Sequence, residues 1–202
     1  MRRHSLILEK AASEASPPNR TTEPLPKITR SGVYAEIVRR FFHGRTVIAV
    51  MAAGSGRAAA HICGRLAADL AASGNRVVVA DVSAMLHMGP LCDPAACHPG
   101  TAPNVWTWPS PAGERVEFFK SAPPAASADN LIQSLHRVFD SVLLACPAPE
   151  TEPAAAGIAA LADAVVLAAE AGQTTKQQVG RAQRELQSAG ATLAGCILLR
   201  RS

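Results

Sequence analysis

Hydrophobic and polar residues alternate along this 202-residue chain in blocks that predict strands separated by helices. A short apolar run at residues 47–50 leads into a glycine loop, which consists of Gly54, Ser55 and Gly56. Apolar residues then recur every four positions until Gly74: Ile62, Leu66 and Leu70. This spacing predicts a strand, a loop and a helix that Gly74 ends. A second apolar run follows and stops at Asp81, which completes a βαβ unit.

The same alternation continues to the end of the chain. The predicted elements are a strand at residues 115–120, a helix that buries Leu131, Ile132, Leu135, Val138 and Phe139, strands at residues 164–168 and 192–199, and between them a helix capped by Thr174 or Thr175 and ended by Gly190. Strands that alternate with helices form mostly parallel sheets with both faces covered. We therefore predict an α/β fold with a three-layer, doubly wound, mostly parallel sheet.

Composition indicates one folded domain and a separate N-terminal segment. Residues 1–30 lack a sustained apolar period, so they are predicted to be a disordered or loosely docked arm before an α/β domain at residues 31–202. The net charge of +4 is modest, and its basic residues are scattered, so nucleic acid is not an expected partner. The apolar run at residues 6–8 is too short for a secretory signal, and residues 154–169 contain Asp163 and are short for a membrane span. A cytoplasmic protein is expected.

The glycine loop has the layout of a phosphate-binding loop without its chemistry. In the G-x-x-x-x-G-K-[ST] pattern, backbone N–H groups surround the phosphates, the Lys neutralises their charge and the hydroxyl holds Mg²⁺. Counting back from Gly74, the Lys and hydroxyl positions fall on Ala59 and Ala60. Alanine can neither pair with phosphate nor bind a metal. Arg57 offers one nearby cation for weak anion binding, but a plain turn between strand and helix is the favoured interpretation.

Residues 33–200 resemble the cytoplasmic kinase domain of bacterial tyrosine kinases that regulate capsule and exopolysaccharide synthesis. These kinases are P-loop ATPases related to the Min and Par partitioning proteins. Residues 66–83 follow the family's helix and second strand without a gap, which places its Walker A Lys at Ala59 and its Ser/Thr at Ala60. Residues 161–201 are similar to the family's last strand, Thr-Thr turn, helix and final strand. The resemblance implies a P-loop NTPase-like fold.

The chain departs from the family's other catalytic motifs as well. Of the D-x-D-x-R motif only Asp81 is present, because Ser83 and Met85 fill the other two positions. The family's Walker B strand normally ends in Asp; here the strand is predicted at residues 139–144, and Ala145 fills the acid position. Phosphoryl transfer depends on the missing positioning and charge-stabilising groups. We therefore predict no catalytic residue, no ATP or Mg²⁺ cofactor and a vestigial nucleotide site at Gly54, Ser55, Gly56, Arg57 and Asp81.

The resemblance implies that the protein acts by binding in exopolysaccharide or capsule biosynthesis. Expected partners are a membrane-embedded polysaccharide chain-length regulator or an active kinase homologue, which would bring the protein to the periphery of the inner membrane. Family kinases form rings through E-x-x-R-x-x-R on a helix, and here Glu36 and Arg39 match while Phe42 does not. These two residues weakly predict homo- or hetero-oligomer contacts. The other interpretation is a helix at residues 31–42 that packs on its own sheet.

Two other functions stay open. An atypical ATP-dependent tyrosine autokinase or ATPase would use Arg57 and Asp81, or would take a Lys from a neighbouring subunit. Family kinases commonly phosphorylate a tyrosine-rich C-terminal tail, but the sole tyrosine here is Tyr34 and no such tail is expected. A partitioning-type protein would need a basic face or an amphipathic tail, and the sequence has neither.

The segment at residues 85–111 is the least readable part of the chain. Four residues of metal-binding types occur there at spacings that match no tight metal motif, so no metal is expected: His87, Cys92, Cys97 and His98. Trp106 and Trp108 would point to one face of an extended segment and either cover the sheet or present a partner-binding patch, with cover favoured. The other cysteines lie in apolar elements and are predicted to be core residues: Cys63, Cys146 and Cys196.

Overall fold

Eight strands form one sheet in the computed structural model, which describes residues 5–9, 44, 46–54, 57–88, 93–109 and 127–200. The strands are β1 (Ser5–Glu9), β2 (Thr46–Ala52), β3 (Val77–Asp81), β4 (His98–Pro99), β5 (Val105–Trp108), β6 (Ser141–Cys146), β7 (Ala164–Glu170) and β8 (Leu193–Arg200). The described helices are α1 (Ala58–Ala72), α2 (Val82–Met88), α3 (Ala128–Val138), α4 (Ala155–Ala159) and α5 (Lys176–Ser188). No helix within these ranges is long and apolar enough to cross a membrane.

The sheet is parallel throughout its interior. Its order is β1-β8-β7-β2-β6-β3-β5-β4, and only the two edge strands, β1 and β4, run antiparallel to their neighbours. One face packs against α1, and the other packs against α2, α3, α4 and α5. The predicted three-layer, doubly wound, mostly parallel α/β fold is confirmed.

Strand β2 lies at the centre of both core layers. All seven of its residues are buried, and they alternate between the two faces of the sheet. Val47, Ala49 and Met51 belong to the layer under α3, α4 and α5, whereas Ile48, Val50 and Ala52 belong to the layer under α1. A strand covered on both faces needs an unbroken apolar sequence, and this is why β2 reads as a continuous apolar run.

The ends of two helices agree with the sequence prediction. Helix α1 stops at Ala72, and Gly74 follows with a positive φ of 90°, a conformation that glycine adopts without strain. Helix α5 begins after Thr175, whose hydroxyl accepts the N–H of Gln178, while the Gln178 side chain accepts the N–H of Thr175. Thr175 is therefore the cap. Thr174 does something else, since its hydroxyl accepts the N–H of Glu170.

The predicted start of the β6 strand is wrong by two residues. Phe139 ends α3 as its C-cap and is completely buried, and the strand begins at Ser141. Between them, Asp140 accepts the backbone N–H of Arg76 at 2.9 Å and pairs with its side chain at 3.5 Å. This contact fixes the starts of β3 and β6 beside each other. It uses Asp140 for a turn rather than for strand pairing.

The N-terminal residues include a strand that the sequence did not predict. Ser5–Glu9 form β1 and pair with β8 from Ser5↔Arg200 to Glu9↔Cys196. The sequence analysis did not predict this strand, because a short segment can gain its order from the edge it pairs with. The predicted domain boundary at residue 30, the helix at 31–42 and the strand at 115–120 lie outside the described residues.

Candidate functional site

A pocket of about 570 Å³ opens at the carboxyl edge of the sheet, where ligands of such folds bind. Its wall comes from the start of α1, the end of β3, the pair β4–β5 and the end of β6. The lining residues are Arg57, Ala59, Ala60, Val79, Asp81, Ser83, His98, Thr107, Trp108, Pro109, Ala145, Cys146 and Pro147. Alanine, valine and proline side chains form much of this surface.

The structure brings only part of the predicted vestigial site together. Arg57 and Asp81 both line the pocket, while Gly54 is not among its lining residues. Ser55 and Gly56 lie outside the described residues, as do Glu36 and Arg39 of the predicted oligomer contact. Among the described residues, the candidate site therefore consists of the start of α1 facing the ends of three strands.

The start of α1 carries no phosphate-binding side chain apart from Arg57. Arg57 is the N-cap residue and is exposed, but its side chain makes no cap hydrogen bond, and the first turn contains no acidic residue. Ala59 is buried, with 5% of its surface exposed, and its methyl group packs into the core under α1. Ala60 is exposed at the rim. The two positions that would hold a Lys and an Mg²⁺-binding hydroxyl present only methyl groups.

Asp81 has a structural partner at the end of β3. Its Oδ1 accepts the backbone N–H of Ser83 at 2.9 Å, which stabilises the first turn of α2. The β3–β6 register pairs Asp81 with Ala145. The position that would supply a second carboxylate next to Asp81 is therefore occupied by a methyl group.

The buried cysteines near the site are inert thiols. Burial raises the pKa of Cys63 and of Cys146 well above the ordinary value, and for Cys146 the nearby Cys63 and the charge of Asp81 raise the pKa further. The pKa of Cys97 rises to about 12 through burial and the charge of Asp93. Such thiols stay protonated at neutral pH, so they are poor nucleophiles and poor metal ligands. The predicted core placement of Cys63, Cys146 and Cys196 is confirmed.

The tryptophan segment forms one wall of the pocket. Trp108 is 1% exposed, and its Nε1 donates to the carbonyl of Asp93 at 2.8 Å. Trp106 packs against the ring of Phe139 with centroids 5.3 Å apart. Both side chains join the same core layer, so they cover the sheet, as the favoured interpretation held. Beside them, the hydroxyl of Thr107 lies 2.8 and 2.9 Å from the two ring nitrogens of His98.

The sequence analysis did not predict that these residues line a pocket. It did not predict β4 or β5, although the run Val-Trp-Thr-Trp at residues 105–108 has the β-branched and aromatic residues typical of strands. It grouped Cys97 and His98 with two other residues of metal-binding types and expected no metal. Cys97 donates to the carbonyl of Pro94, and no group of three or more His, Cys, Asp or Glu residues in the described part of the chain could hold a metal ion. Cys92 lies outside that part.

The glycine loop begins in tight contact with α5. A Cβ at Gly54 would lie 3.3 Å from the amide nitrogen of Gln178. That side chain accepts the N–H of Thr175 at 2.9 Å and donates to Glu150 Oε2 at 3.2 Å. Gln178 therefore connects the loop after β2, the loop after β6 and the start of α5.

Solved structures with the same fold are ATP-dependent proteins by name, although no family model matches the sequence and no curated protein matches it. The BceF tyrosine kinase domain has a TM-score of 0.55 and 20% identity, over 76% of this chain and 68% of that chain. The kinase domain of Escherichia coli tyrosine kinase ETK has a TM-score of 0.57 and 16% identity, over 76% and 67%. The Mg-ADP complex of the septum site-determining protein MinD from Pyrococcus horikoshii has 0.54 and 18%, over 75% and 69%. At these identities the likeness shows the fold, and the predicted P-loop NTPase-like fold is confirmed.

Proposed function

We propose that this protein is a non-catalytic, tyrosine-kinase-like member of the P-loop ATPase fold that acts by binding other proteins in exopolysaccharide or capsule biosynthesis. One observation supports the proposal that the protein is not a catalyst. The pocket at the carboxyl edge has methyl groups at the Walker A Lys, Walker A hydroxyl and Walker B positions, which are Ala59, Ala60 and Ala145.

The charges that line the pocket argue against a bound nucleotide. Asp81 would repel a phosphate, and two like charges about 4 Å apart cost about 4 kcal/mol at an effective dielectric constant near 20. At the same distance and dielectric constant Arg57 attracts a phosphate by about the same 4 kcal/mol, so the two charges cancel and the pair offers a nucleotide no net attraction. Among the described lining residues there is no Lys beside Arg57 and no second carboxylate beside Asp81 to hold Mg²⁺, which disfavours Mg-ATP. We therefore assign the protein no ATP or Mg²⁺ cofactor.

The partner class comes from the sequence resemblance. Kinases of the resembled family work with a membrane-embedded polysaccharide chain-length regulator, so this regulator or an active kinase homologue is the proposed partner. Binding to it would hold a cytoplasmic protein at the inner membrane. Glu36 and Arg39, which match the first two positions of the family's oligomer motif, are the proposed contact residues.

One observation favours a second candidate, an atypical ATPase or autokinase. Arg57 and Asp81 line the same pocket, although they are 24 positions apart in the sequence. In this candidate Arg57 would hold a phosphate and Asp81 would position Mg²⁺ or the attacking group. This function requires nucleotide binding, whereas the leading proposal requires that there be none.

Nucleotide binding by wild-type protein and by a restored variant separates the two candidates. The restored variant carries Ala59→Lys, Ala60→Thr and Ala145→Asp, and the readout is the fluorescence of an ADP analogue in the presence of Mg²⁺. We expect no saturable binding by the wild type and a gain of binding by the restored variant, because the substitutions return the missing charges and the metal ligands. Saturable wild-type binding that Arg57→Ala abolishes would overturn the non-catalytic proposal.

Partner binding needs a separate test. The full chain, tagged and expressed with the chain-length regulator of its own host, should retain that membrane protein through detergent purification. A variant with Glu36→Ala and Arg39→Ala should lose it, while the exposed α5 substitution Arg181→Ala should not. Failure of the wild type to retain either the regulator or an active kinase of the same host would count against the proposed partners.

A further inference from the structure

Two side chains of opposite charge, Arg57 and Asp81, line the pocket without forming an ion pair with each other. Arg57 and Asp81 are both exposed and both line it. Within the described ranges, Arg57 makes no side-chain hydrogen bond or ion pair, and Asp81 uses only Oδ1, on the N–H of Ser83. A cation and a carboxylate oxygen are therefore both available to one ligand.

The rest of the lining offers few polar groups and a large apolar surface. Partly exposed apolar side chains line the pocket at Ala60, Val79, Ala145 and Pro147. Ala59 and Trp108, in contrast, are almost fully buried and offer little surface to a ligand. On the β4–β5 side, the paired side chains of His98 and Thr107 can exchange hydrogen bonds with a ligand hydroxyl. This is a mainly apolar pocket with a few polar groups, and its volume of about 570 Å³ falls in the size range of small-molecule sites.

These features exclude several ligand classes. Among the described lining residues, a polyphosphate meets one cation, Arg57, and a repelling carboxylate, Asp81. A wholly apolar ligand would bury Arg57 and Asp81 without satisfying them, and such burial of charge is costly. An uncharged sugar can accept hydrogen bonds from Arg57, but it lacks the negative charge that makes such a bond strong. The ligand that satisfies every group carries one negative charge, at least one hydroxyl donor and a compact carbon skeleton.

We propose that this pocket binds a hydroxylated organic monoanion, with its carboxylate on Arg57, a hydroxyl donating to Asp81 and its carbon skeleton against Ala60 and Ala145. The site reuses the place of a nucleotide for a different chemical class of ligand. The proposal goes beyond the function in protein binding and does not depend on it, because a pocket ligand and a partner surface can each exist without the other.

The Asp81→Asn substitution separates this ligand from any phosphate. A hydroxyl that donates to the carboxylate binds less well when the charge is removed, because hydrogen bonds to charged groups are the stronger ones. A phosphate group near Asp81 binds better, because a repulsion disappears. The same substitution therefore changes the two affinities in opposite directions.

The test is calorimetric titration of the full chain with quinate and glucuronate, which are hydroxylated monocarboxylates. Glucose lacks the charge, cyclohexanecarboxylate lacks the hydroxyls, and inorganic phosphate and Mg-ATP represent the inherited chemistry. We expect millimolar or tighter binding of at least one hydroxy acid and weaker binding of every comparison compound. Arg57→Ala should weaken the hydroxy acid about tenfold or more, and Asp81→Asn should weaken it several-fold.

Controls keep the result interpretable. Arg181→Ala and Asp69→Asn remove one charge each from α5 and α1 outside the pocket lining, and neither should change the affinity. Thermal unfolding checks that each variant is folded. The proposal is overturned if neither hydroxy acid binds at millimolar concentration, if inorganic phosphate binds as tightly, or if Asp81→Asn tightens the binding of the hydroxy acid.

Discussion

At the scale of single residues, Asp81 has a structural role that is independent of any ligand. Its carboxylate accepts the N–H of Ser83 and so stabilises the start of α2, a role that needs no metal and no nucleotide. Its neighbour in the β3–β6 register, Ala145, has no carboxylate to share a metal with. An acid with a structural partner can persist after the site around it has lost its function.

The buried thiols predict how stability changes at alkaline pH. The pKa values of Cys63, Cys97 and Cys146 lie above 9.0 in the folded protein, whereas the unfolded chain loses these protons near the ordinary value. The folded state therefore binds more protons above that pH, and stability falls as pH rises. Each such thiol lowers the free energy of unfolding by about 1.4 kcal/mol per pH unit, at pH values between its pKa in the unfolded chain and its pKa in the folded protein.

The measurement is urea unfolding at about pH 8 and in steps up to about pH 10.5, within the window that thiol titration defines. The free energy of unfolding should stay level below about pH 9 and decline above it. A Cys63→Ala variant should decline less steeply, whatever its starting stability. Equal slopes for the wild type and the variant would show that burial of this thiol does not control the alkaline loss.

Gly54 gives a second prediction at this scale. Alanine at position 54 would push its Cβ to 3.3 Å from Gln178, a side chain held by Thr175 and Glu150. We expect Gly54→Ala to destabilise the protein by about 1 kcal/mol, as moderate overpacking does. In a Gln178→Ala background the added cost should shrink, and a double-mutant cycle measures this coupling.

Gly64→Ala is the matched control for Gly54→Ala. Gly64 lies on the exposed face of α1, and a Cβ there would meet no atom within 4 Å. Alanine should therefore stabilise the helix by about 0.8–1 kcal/mol. Additive effects of Gly54→Ala and Gln178→Ala would show that the contact between them is not what constrains position 54.

At the scale of elements, the capping box of α5 predicts a stability change that a single substitution can test. Thr175→Ala removes the hydroxyl that accepts the N–H of Gln178, and a lost cap costs about 1 kcal/mol. Thr151→Ala removes an exposed threonine hydroxyl outside any helix or strand and should leave stability within about 0.5 kcal/mol. If chemical denaturation gives equal changes for the two variants, the capping box does not stabilise α5.

Comparison of the elements shows what the sequence could predict. The unit β2-α1-β3 was predictable because its apolar period, its glycines and its buried strands all point to the same structure. The sequence analysis did not predict β1 or the pair β4–β5. These strands are short, and they form by pairing with residues distant in the sequence, such as Ile197 and Val77. The chemistry at positions 59, 60 and 145 could be read from the sequence, but the tryptophan wall required the pairing of β5 with β3.

At the scale of the whole molecule, the P-loop NTPase-like fold carries alanine at the three positions that the sequence resemblance assigns to catalytic side chains. Two core layers hold β2 and β6 in the register that would aim a phosphate loop at a Walker B acid. The scaffold does not depend on those groups, since its stability comes from apolar burial. The fold therefore forms with alanine at these three positions, as the proposed binding function requires.

Thermal unfolding with and without Mg-ADP and Mg-ATP tests this account most directly. A ligand that binds only the folded state at about 100 times its dissociation constant stabilises it by about 2.7 kcal/mol, which raises the midpoint by roughly 5–10 °C for a domain of this size. We predict no change in the midpoint for the wild type, and an increase for the variant with Ala59→Lys, Ala60→Thr and Ala145→Asp. A wild-type increase of several degrees that Arg57→Ala removes would contradict the account.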